Sequence, residues 1–256
     1  MTTKLQSFCG IAAISYTVFA ALPGAHADVI SVAASQSGNY AADGIGNINS
    51  LGFQNYFVGY SSPSAVAERR NFFIFPTAAF EPLTILSAEL VLYLPHFAPG
   101  MTTDPGDGYI SPDPSEAYRL SATPFSAAEV GDPTNSPGES IPIWASLGTG
   151  PLAGAIEVFP TDMGTYLHIP LTALAVIGLN GAGPGSIVMG GRLTSLDPSR
   201  PMVLDELVFA FTDMPGSGMF TPPTLLLEVV PAPAASLPLL CGAAALTARR
   251  RRATAH

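Results

Sequence analysis

Basic residues are scarce in this 256-residue chain, and their scarcity argues against several functions. The only lysine is Lys4, so the body of the chain has neither a phosphate-loop lysine nor a Schiff-base lysine. Between Asp28 and Glu228, five arginines stand against 19 acidic residues, which gives this segment a net charge of −14. Because nucleic-acid binding depends on clustered Lys and Arg, such a segment disfavours it strongly. Cations or neutral polymers are the expected partners.

Cysteine is also scarce. The chain has only Cys9 and Cys241, both in apolar terminal segments, so the segment between them can form no internal disulfide. A domain of about 200 residues hides roughly 70% of its unfolded surface and needs no such cross-link. The absence of disulfides is therefore compatible with export.

The N-terminus has the composition of a secretory signal. Lys4 gives a positive start, residues 8–22 are apolar, and Pro23 and Gly24 form a turn. Small residues at Ala25 and Ala27 follow, so we predict a signal peptide over residues 1–27 and cleavage before Asp28. The alternative is an uncleaved anchor helix, although the apolar stretch is shorter than the roughly 20 residues that a membrane span needs.

The C-terminus has three parts in order. Val230-Pro231-Ala232-Pro233 comes first, an uncharged run over residues 234–248 follows, and Arg249-Arg250-Arg251-Arg252 closes it. The uncharged stretch is about long enough to cross a bilayer as a helix. Because cytoplasmic flanks are rich in Lys and Arg, the arginines should stay inside and the acidic domain outside.

These residues resemble the sorting tail of PEP-CTERM proteins, whose Pro motif, membrane segment and Arg cluster are processed by exosortases. The resemblance is limited to residues 230–256. It implies an exosortase-like partner, transient membrane attachment through a C-terminal helix, and then a place at the cell surface or outside the cell. The chain departs from the family in having Ala232 where Glu is typical. A plain C-terminal anchor is the alternative.

The segment between the two ends has the pattern of antiparallel strands. Short alternating apolar runs are bounded by Gly, Pro, Asp and Asn. In the run from Ala88 to Leu94, for example, every second residue is an alanine or a leucine. Further predicted strands cover residues 70–75, 117–122, 166–169, 186–193, 206–211 and 224–230. We predict an all-β domain over residues 28–229, an antiparallel two-sheet β-sandwich of jelly-roll type with eight to ten strands.

One segment departs from the strand pattern. Residues 171–180 predict a short helix that ends before Gly181. Residues 99–114 and 123–142 are rich in Pro and Gly and are predicted to be long loops. Loops of that length are often functional.

A cluster of acids in the first of these loops suggests a cation site. Asp104, Asp107, Asp113 and Glu116 lie within 13 residues, with glycines that permit tight turns. Calcium takes six to eight oxygen ligands, so a calcium site at these four residues is one hypothesis. The other is that they are ordinary solvated turn residues.

The aromatic residues allow two interpretations. Trp144, the only tryptophan, is flanked by apolar residues and is predicted to lie in the core, with sugar stacking as the alternative. Tyr56, Tyr60 and Tyr109 lie near turn residues, where a ring could stack on a sugar.

The histidines and paired arginines suggest no site. His96 and His168 are predicted to be strand-edge residues rather than zinc ligands. Arg69 and Arg70 precede an apolar strand and are interpreted as charges that protect a sheet edge.

Together these features favour a non-enzymatic, exported protein of the cell surface or extracellular matrix, associated with exopolysaccharide. The first alternative is a carbohydrate-binding module, either with or without a requirement for calcium. The second is a secreted glycoside hydrolase with two catalytic carboxylates, which the sequence alone cannot locate among 19 acids. No other cofactor is expected.

Overall fold

A computed structural model describes residues 26–49, 56–60, 67–96, 108–196, 206–209 and 222–232. In these ranges the chain is mostly antiparallel β-structure. The strands are β1 Asp28–Ala33, β2 Gln36–Ala41, β3 Gly46–Asn49, β4 Val58–Tyr60, β5 Arg69–Pro76, β6 Leu83–Tyr93, β7 Tyr109–Ile110, β8 Glu116–Ala122, β9 Leu152–Val158, β10 Tyr166–Pro170, β11 Ser186–Leu193, β12 Glu206–Val208 and β13 Thr224–Pro231. The helices are α1 Ala127–Val130, α2 Pro137–Ser146 and α3 Ala173–Asn180, with 3-10 turns at Thr77–Ala79 and Pro160–Asp162.

The predicted strand total was too low. Thirteen strands occur in the described ranges, because short pairing segments such as β4 and β7 carry too few residues for an alternating pattern to show. β12 covers the first three residues of the strand predicted over residues 206–211. Five of the longer predicted strands are confirmed to within one residue, as β5, β8, β10, β11 and β13. The sixth, β6, begins at Leu83, five residues before the predicted start at Ala88, and ends one residue earlier than predicted.

A small sheet of four strands has the order β1-β13-β6-β10. Its strands alternate between buried and exposed residues, as the sequence pattern predicts: in β6, Ala88, Leu90 and Leu92 are buried while the residues between them are not. β13 lies inside this sheet and pairs with β1 on one side and β6 on the other. One face of the small sheet therefore supplies the core.

A large sheet of nine strands follows the order β7-β12-β4-β5-β11-β8-β9, and β2 and β3 extend it from β5. Its central strand β5 is buried from Arg70 to Phe75 on both faces. Such a strand appears in sequence as a continuous apolar run, here Phe72 to Phe75.

Two apolar clusters lie on opposite faces of β5. Phe73 belongs to a cluster that also contains Leu90 of the small sheet, so this cluster joins the two sheets. Phe72 belongs to a second cluster that contains Leu147, just after α2. Because successive strand residues point to opposite faces, one face of β5 contributes to the cluster that contains small-sheet residues, and its other face contributes to the cluster beside α2.

Residues 123–142, predicted to be a loop, contain α1 and the first half of α2. Both helices begin at a serine followed three residues later by a glutamate, a capping-box pattern that satisfies backbone donors. At α1 the backbone N–H of Ser126 donates to Glu129 at 2.7 Å. At α2 the backbone N–H of Ser136 donates to Glu139 at 2.9 Å. The expectation of a single helix was therefore wrong.

The predicted helix over residues 171–180 is confirmed as α3. Thr172 is its N-cap, and the Thr172 hydroxyl accepts the backbone N–H of Ala175 at 3.2 Å. Gly181 follows its last residue, as predicted.

A polar network is buried where the two sheets meet. The Asn71 amide donates to the carbonyl of Tyr56 at 2.9 Å, and the Tyr118 hydroxyl donates to the Asn71 side-chain oxygen at 2.9 Å. Burial raises the pKa of both Tyr56 and Tyr118. Gly191 makes room for this network, because a Cβ there would lie 1.9 Å from the Tyr118 hydroxyl oxygen.

Among the residues that the structure describes, none of the helices combines the length and the apolar character needed to span a bilayer. The predicted signal helix and the predicted membrane helix over residues 234–248 lie outside the described residues.

Candidate functional site

The two predicted processing points lie at one end of the small sheet. β1 begins at Asp28, and Asp28 pairs with Val229 of β13. β13 ends at Pro231, which is exposed, as are Asp28 and Ala232. The predicted start of the mature domain and the predicted sorting motif are therefore side by side.

The last strand extends past the predicted domain boundary at residue 229 and includes the first two residues of the predicted sorting motif. Val230 pairs with Thr84 and Pro231 pairs with Leu83, so both belong to the last strand rather than to a linker. Proline is tolerated there because it ends the strand, where a missing N–H disrupts no further pairing. Ala25, Pro233 and Arg249 to Arg252 lie outside the described residues, so their predicted roles stay predictions.

The predicted calcium residues are only partly described. The Glu116 carboxylate is fully buried and accepts the hydroxyls of Ser111, at 2.5 Å, and Ser195. Asp113 accepts the Tyr109 hydroxyl through its backbone carbonyl at 2.7 Å. Within the described ranges no three His, Cys, Asp or Glu side chains come together as a metal site. Asp104 and Asp107 lie outside those ranges, so the calcium site stays a prediction.

The tyrosines considered for sugar stacking are mainly core residues. Tyr56 is 1% exposed and Tyr109 is 6% exposed, so neither ring face can meet a sugar. Tyr60 is half-buried. Packing of aromatic rings explains Tyr56, whose ring centroid lies 5.4 Å from that of Phe73.

Three arginines lie side by side across the large sheet. Arg192 of β11 pairs with Arg119 of β8. On its other side, Gly191 pairs with Asn71 of β5, and the same register places Arg70 next to Arg192. Cross-strand neighbours share a face, and this is the face on which α2 packs. We call Arg70, Arg192 and Arg119 the arginine row.

Arg70 is a fully paired member of the arginine row. Its Nε donates to Glu68 at 2.7 Å, and its Nη1 donates to the carbonyls of Trp144 and Ala145 at 3.3 and 3.1 Å. Its guanidinium carbon lies 3.9 Å from the centroid of the Trp144 ring. Because β5 is an inner strand and Arg70 is 5% exposed, the interpretation of Arg69 and Arg70 as edge-protecting charges was wrong.

Trp144 has a structural role in this arrangement. It is half-buried on α2, packs against the second apolar cluster, and donates its indole N–H to the carbonyl of Glu68 at 2.9 Å. Arg70 occupies one face of its ring. The sequence predicted Trp144 to lie in the core, and the residue lies half-buried at the edge of the second apolar cluster.

Arg119 is held by two neutral acceptors. Its Nη2 donates to the carbonyl of Gly150 at 3.0 Å, and its Nε donates to the Ser121 hydroxyl at 3.3 Å. The residue is half-buried and lines a shallow groove of about 560 Å³, together with Glu157 and Thr194.

Arg192 differs from both neighbours. Its Nε is buried, and among the residues that the structure describes it has no hydrogen-bond partner. The turn after α2 closes over the Arg192 stem: a Cβ on Gly148 would lie 2.3 Å from Arg192 Cδ and 3.1 Å from Arg70 Cζ. In the row, Arg70 is neutralised by Glu68, and Arg119 donates to neutral acceptors. The Nε of Arg192 has no acceptor in the described ranges.

The C-terminal end of α2 explains how three like charges can be adjacent. Like charges directly opposite each other on a sheet are destabilising. The last carbonyls of a helix carry a partial negative charge, and those of Trp144 and Ala145 accept bonds from Arg70. Glu68 adds a full negative charge on the same side.

A separate apolar groove of about 510 Å³ lies beside α3. Leu174 and Ile177 of α3 line it and are 62% and 66% exposed. Phe125 and Met189 line it as well. Its volume is within the range of small-ligand pockets.

His168 lies on β10, an edge strand of the small sheet, as predicted. Its Nδ1 is 2.9 Å from Glu89, and both side chains are about half exposed.

Compared with protein-family models and with curated proteins, the chain matches none.

Proposed function

We propose that this chain is an exported, non-enzymatic protein of the cell surface or extracellular matrix, processed at both ends and associated with exopolysaccharide. The observation that supports it best is the pairing of Asp28 with Val229. It brings the predicted signal-cleavage point and the predicted sorting motif to one end of one sheet.

This arrangement suits a domain that is released from a membrane. Both predicted membrane segments would leave the fold at the same end, so the remainder of the domain would extend away from the bilayer. After cleavage before Asp28, β1 keeps its full pairing with β13, because its first paired residue is Asp28 itself.

The same geometry favours processing beyond Pro231. Val230 and Pro231 still pair with β6, so a cut before them would remove the end of an inner strand. A cut after Pro231, next to the exposed Ala232, would leave the small sheet intact.

We also propose that the two sheets form a β-sandwich of jelly-roll type. The cluster that contains Phe73 of the large sheet and Leu90 of the small sheet supports this arrangement. Inner faces of two packed sheets are expected to supply a shared core in this way.

Processing is tested in a host that carries an exosortase-like enzyme and in the same host without it. We expect the mature protein to begin at Asp28 and to lose residues 249–252 only when the enzyme is present, as measured by intact mass. Pro231→Ala with Pro233→Ala should reduce the second step, while Pro222→Ala, a matched change outside the motif, should not. A full-length protein in both hosts would contradict the proposal.

Association with polysaccharide is tested by retention of the mature protein on the host's own exopolysaccharide, with calcium and with a chelator. Retention in both conditions supports the proposal. Retention lost only with the chelator supports the calcium-dependent alternative and directs mutations to Asp104 and Asp107. No retention in either condition contradicts an association with exopolysaccharide.

A further inference from the structure

We propose that the arginine row binds a carboxylate or sulfate group on a sugar, with Arg192 as the principal ligand residue. This inference rests on the proposed association with exopolysaccharide and names the chemical group that would be recognised. The row lies on the α2 face of the large sheet, and none of its residues belongs to the predicted sorting motif or to the predicted calcium site.

Arg192 has an unsatisfied hydrogen-bond donor. Its buried Nε has no hydrogen-bond partner in the described ranges, and a buried donor without a partner is destabilising. A guanidinium presents five N–H donors and no acceptor, so an oxyanion is the complementary ligand. Bidentate bonds to a planar carboxylate or to a sulfate group match its geometry.

Arg119 lies beside Arg192 in the row. It pairs directly with Arg192 across β11 and β8, and side chains in such pairs begin about 5 Å apart. Arg119 uses Nε and one Nη in neutral hydrogen bonds, so its positive charge is not paired with an acid there. Two neighbouring guanidinium groups can therefore hold one oxyanion between them.

Arg70 is not expected to bind the ligand, because its guanidinium is already paired within the protein. Its charge is balanced by Glu68 at 2.7 Å, and its guanidinium is stacked on Trp144. Arg70 thus orders the turn after α2, and Gly148 in that turn packs on the stem of Arg192. Arg192 and Arg119 are the two members left for a ligand.

The surrounding charge restricts the type of polymer. The segment from Asp28 to Glu228 carries a net charge of −14, and Glu157 lines the groove next to Arg119. A densely charged polyanion would meet this negative surface at many points. At physiological salt, where charges are screened beyond about 8 Å, a single oxyanion on a sparsely charged glycan avoids that repulsion.

Calorimetric titration of the full chain in mild detergent, with a chelator present, tests the inference. The probes are a trisaccharide that carries one galacturonate and two neutral sugars, the methyl ester of that trisaccharide, and a trisaccharide of neutral sugars that carries one sulfate group. We expect binding of at least one charged probe and none of the methyl ester, which keeps the rings and loses the charge. Arg192→Gln should weaken binding about tenfold or more, and Arg119→Gln by a smaller factor. Arg69→Gln is the charge-matched control, because Arg69 precedes Arg70 on β5 and its side chain points to the opposite face of the sheet. It should change binding less than twofold.

Stability separates a ligand role from a structural role. Since Arg192 has no partner in the described ranges, Arg192→Gln should leave the melting temperature of the free protein unchanged or raise it, while removing the shift caused by the charged probe. Arg192→Lys keeps the charge and should recover part of the binding. A preference for the carboxylate or the sulfate probe identifies the source of the oxyanion.

Equal binding of the trisaccharide with one galacturonate and of its methyl ester would overturn the inference, as would Gln variants that bind like the unaltered protein. If the mature protein is retained on the host's exopolysaccharide but binds neither charged probe, the inference fails and the proposed function stands. If retention on that polymer is also lost, the association with exopolysaccharide fails with it.

Discussion

The small sheet buries one face and exposes the other, whereas the central strand β5 of the large sheet is covered on both faces. In β6 of the small sheet, Leu90 is buried and Val91 is partly exposed, and the pattern repeats along the strand. In β5 of the large sheet, Arg70 to Phe75 are all buried. The small sheet can therefore leave its polar groups to water, while the large sheet must pair its own.

This difference places the unusual chemistry in the large sheet. Its buried residues include Asn71, Arg70 and Glu116, each with hydrogen-bond partners. A polar group that is buried without a partner costs about 1 to 3 kcal/mol or more, so exceptions such as Arg192 are informative. In the small sheet, by contrast, His168 Nδ1 lies 2.9 Å from the Glu89 carboxylate, and both side chains are about half exposed.

The largest effect is expected from the inward face of the small sheet. Leu90→Ala should lower the free energy of unfolding by about 3 to 4 kcal/mol, because it leaves a cavity in the cluster shared by both sheets. Val91→Ala, the neighbouring position, is the control and should cost about 1 kcal/mol or less. Urea unfolding of both variants measures the difference. Equal losses would contradict the one-sided burial of this sheet.

The next effect is expected in the large sheet, from Glu68→Gln. It removes the charge that balances Arg70, whose side chain is 6% exposed, and a buried charge without its partner costs about 3 kcal/mol. The control is Glu81→Gln at an exposed position. Denaturant unfolding should show that adding Arg70→Met to Glu68→Gln recovers part of the loss. A further loss in the double variant would argue against this pair as the cause.

The strands that alternate or form apolar runs could be predicted from sequence, and those built from polar or small residues could not. β6 and β11 carry enough large apolar residues to show their period. β2 has the sequence Gln-Ser-Gly-Asn-Tyr-Ala, yet five of its six residues are buried. Its burial results from pairing with β5 and from α2, which are tertiary effects.

The sequence contains a local signal for the two helices on the large sheet. Ser126 with Glu129 and Ser136 with Glu139 are capping boxes, and Pro137 is at a favoured first helical position. The density of Pro and Gly in residues 123–142 pointed instead to a loop. Local capping chemistry was the better guide here than composition.

The arginine row could not be predicted from sequence. Its three residues come from β5, β8 and β11, and they become neighbours only through the register of long-range strand pairs. A shift of one residue in that register would place Arg192 on the other face. The sequence showed only that five arginines exist between Asp28 and Glu228.

An intermediate effect is expected at alkaline pH, again in the large sheet. Burial raises the pKa of Tyr109 to about 12 and raises the pKa of Tyr118. A raised pKa in the folded state means that stability is complete below pH 10 and is lost as pH increases through the folded-state pKa. Each such tyrosine should lower the free energy of unfolding by up to about 1.4 kcal/mol per pH unit above pH 10.

Urea unfolding between pH 8 and pH 12 measures this slope. Tyr118→Phe removes one titrating group and should make the slope shallower above pH 10, even though it costs stability at pH 8 through the lost bond to Asn71. A slope that Tyr118→Phe leaves unchanged would contradict a contribution from this residue.

The smallest effect is expected on the outer face of the small sheet, from Glu89→Gln. This change makes the same chemical substitution as Glu68→Gln, but its partner His168 is 52% exposed and Glu89 itself is 44% exposed. Exposed ion pairs contribute about 0 to 1 kcal/mol, since water solvates both charges and salt screens them. Denaturant unfolding at pH 7 should therefore show a loss below about 0.5 kcal/mol that 1 M NaCl does not enlarge. A loss as large as that of Glu68→Gln would mean that the two sheets do not differ in how they treat charge, and the argument that an unpaired arginine in the large sheet indicates a ligand would lose its basis.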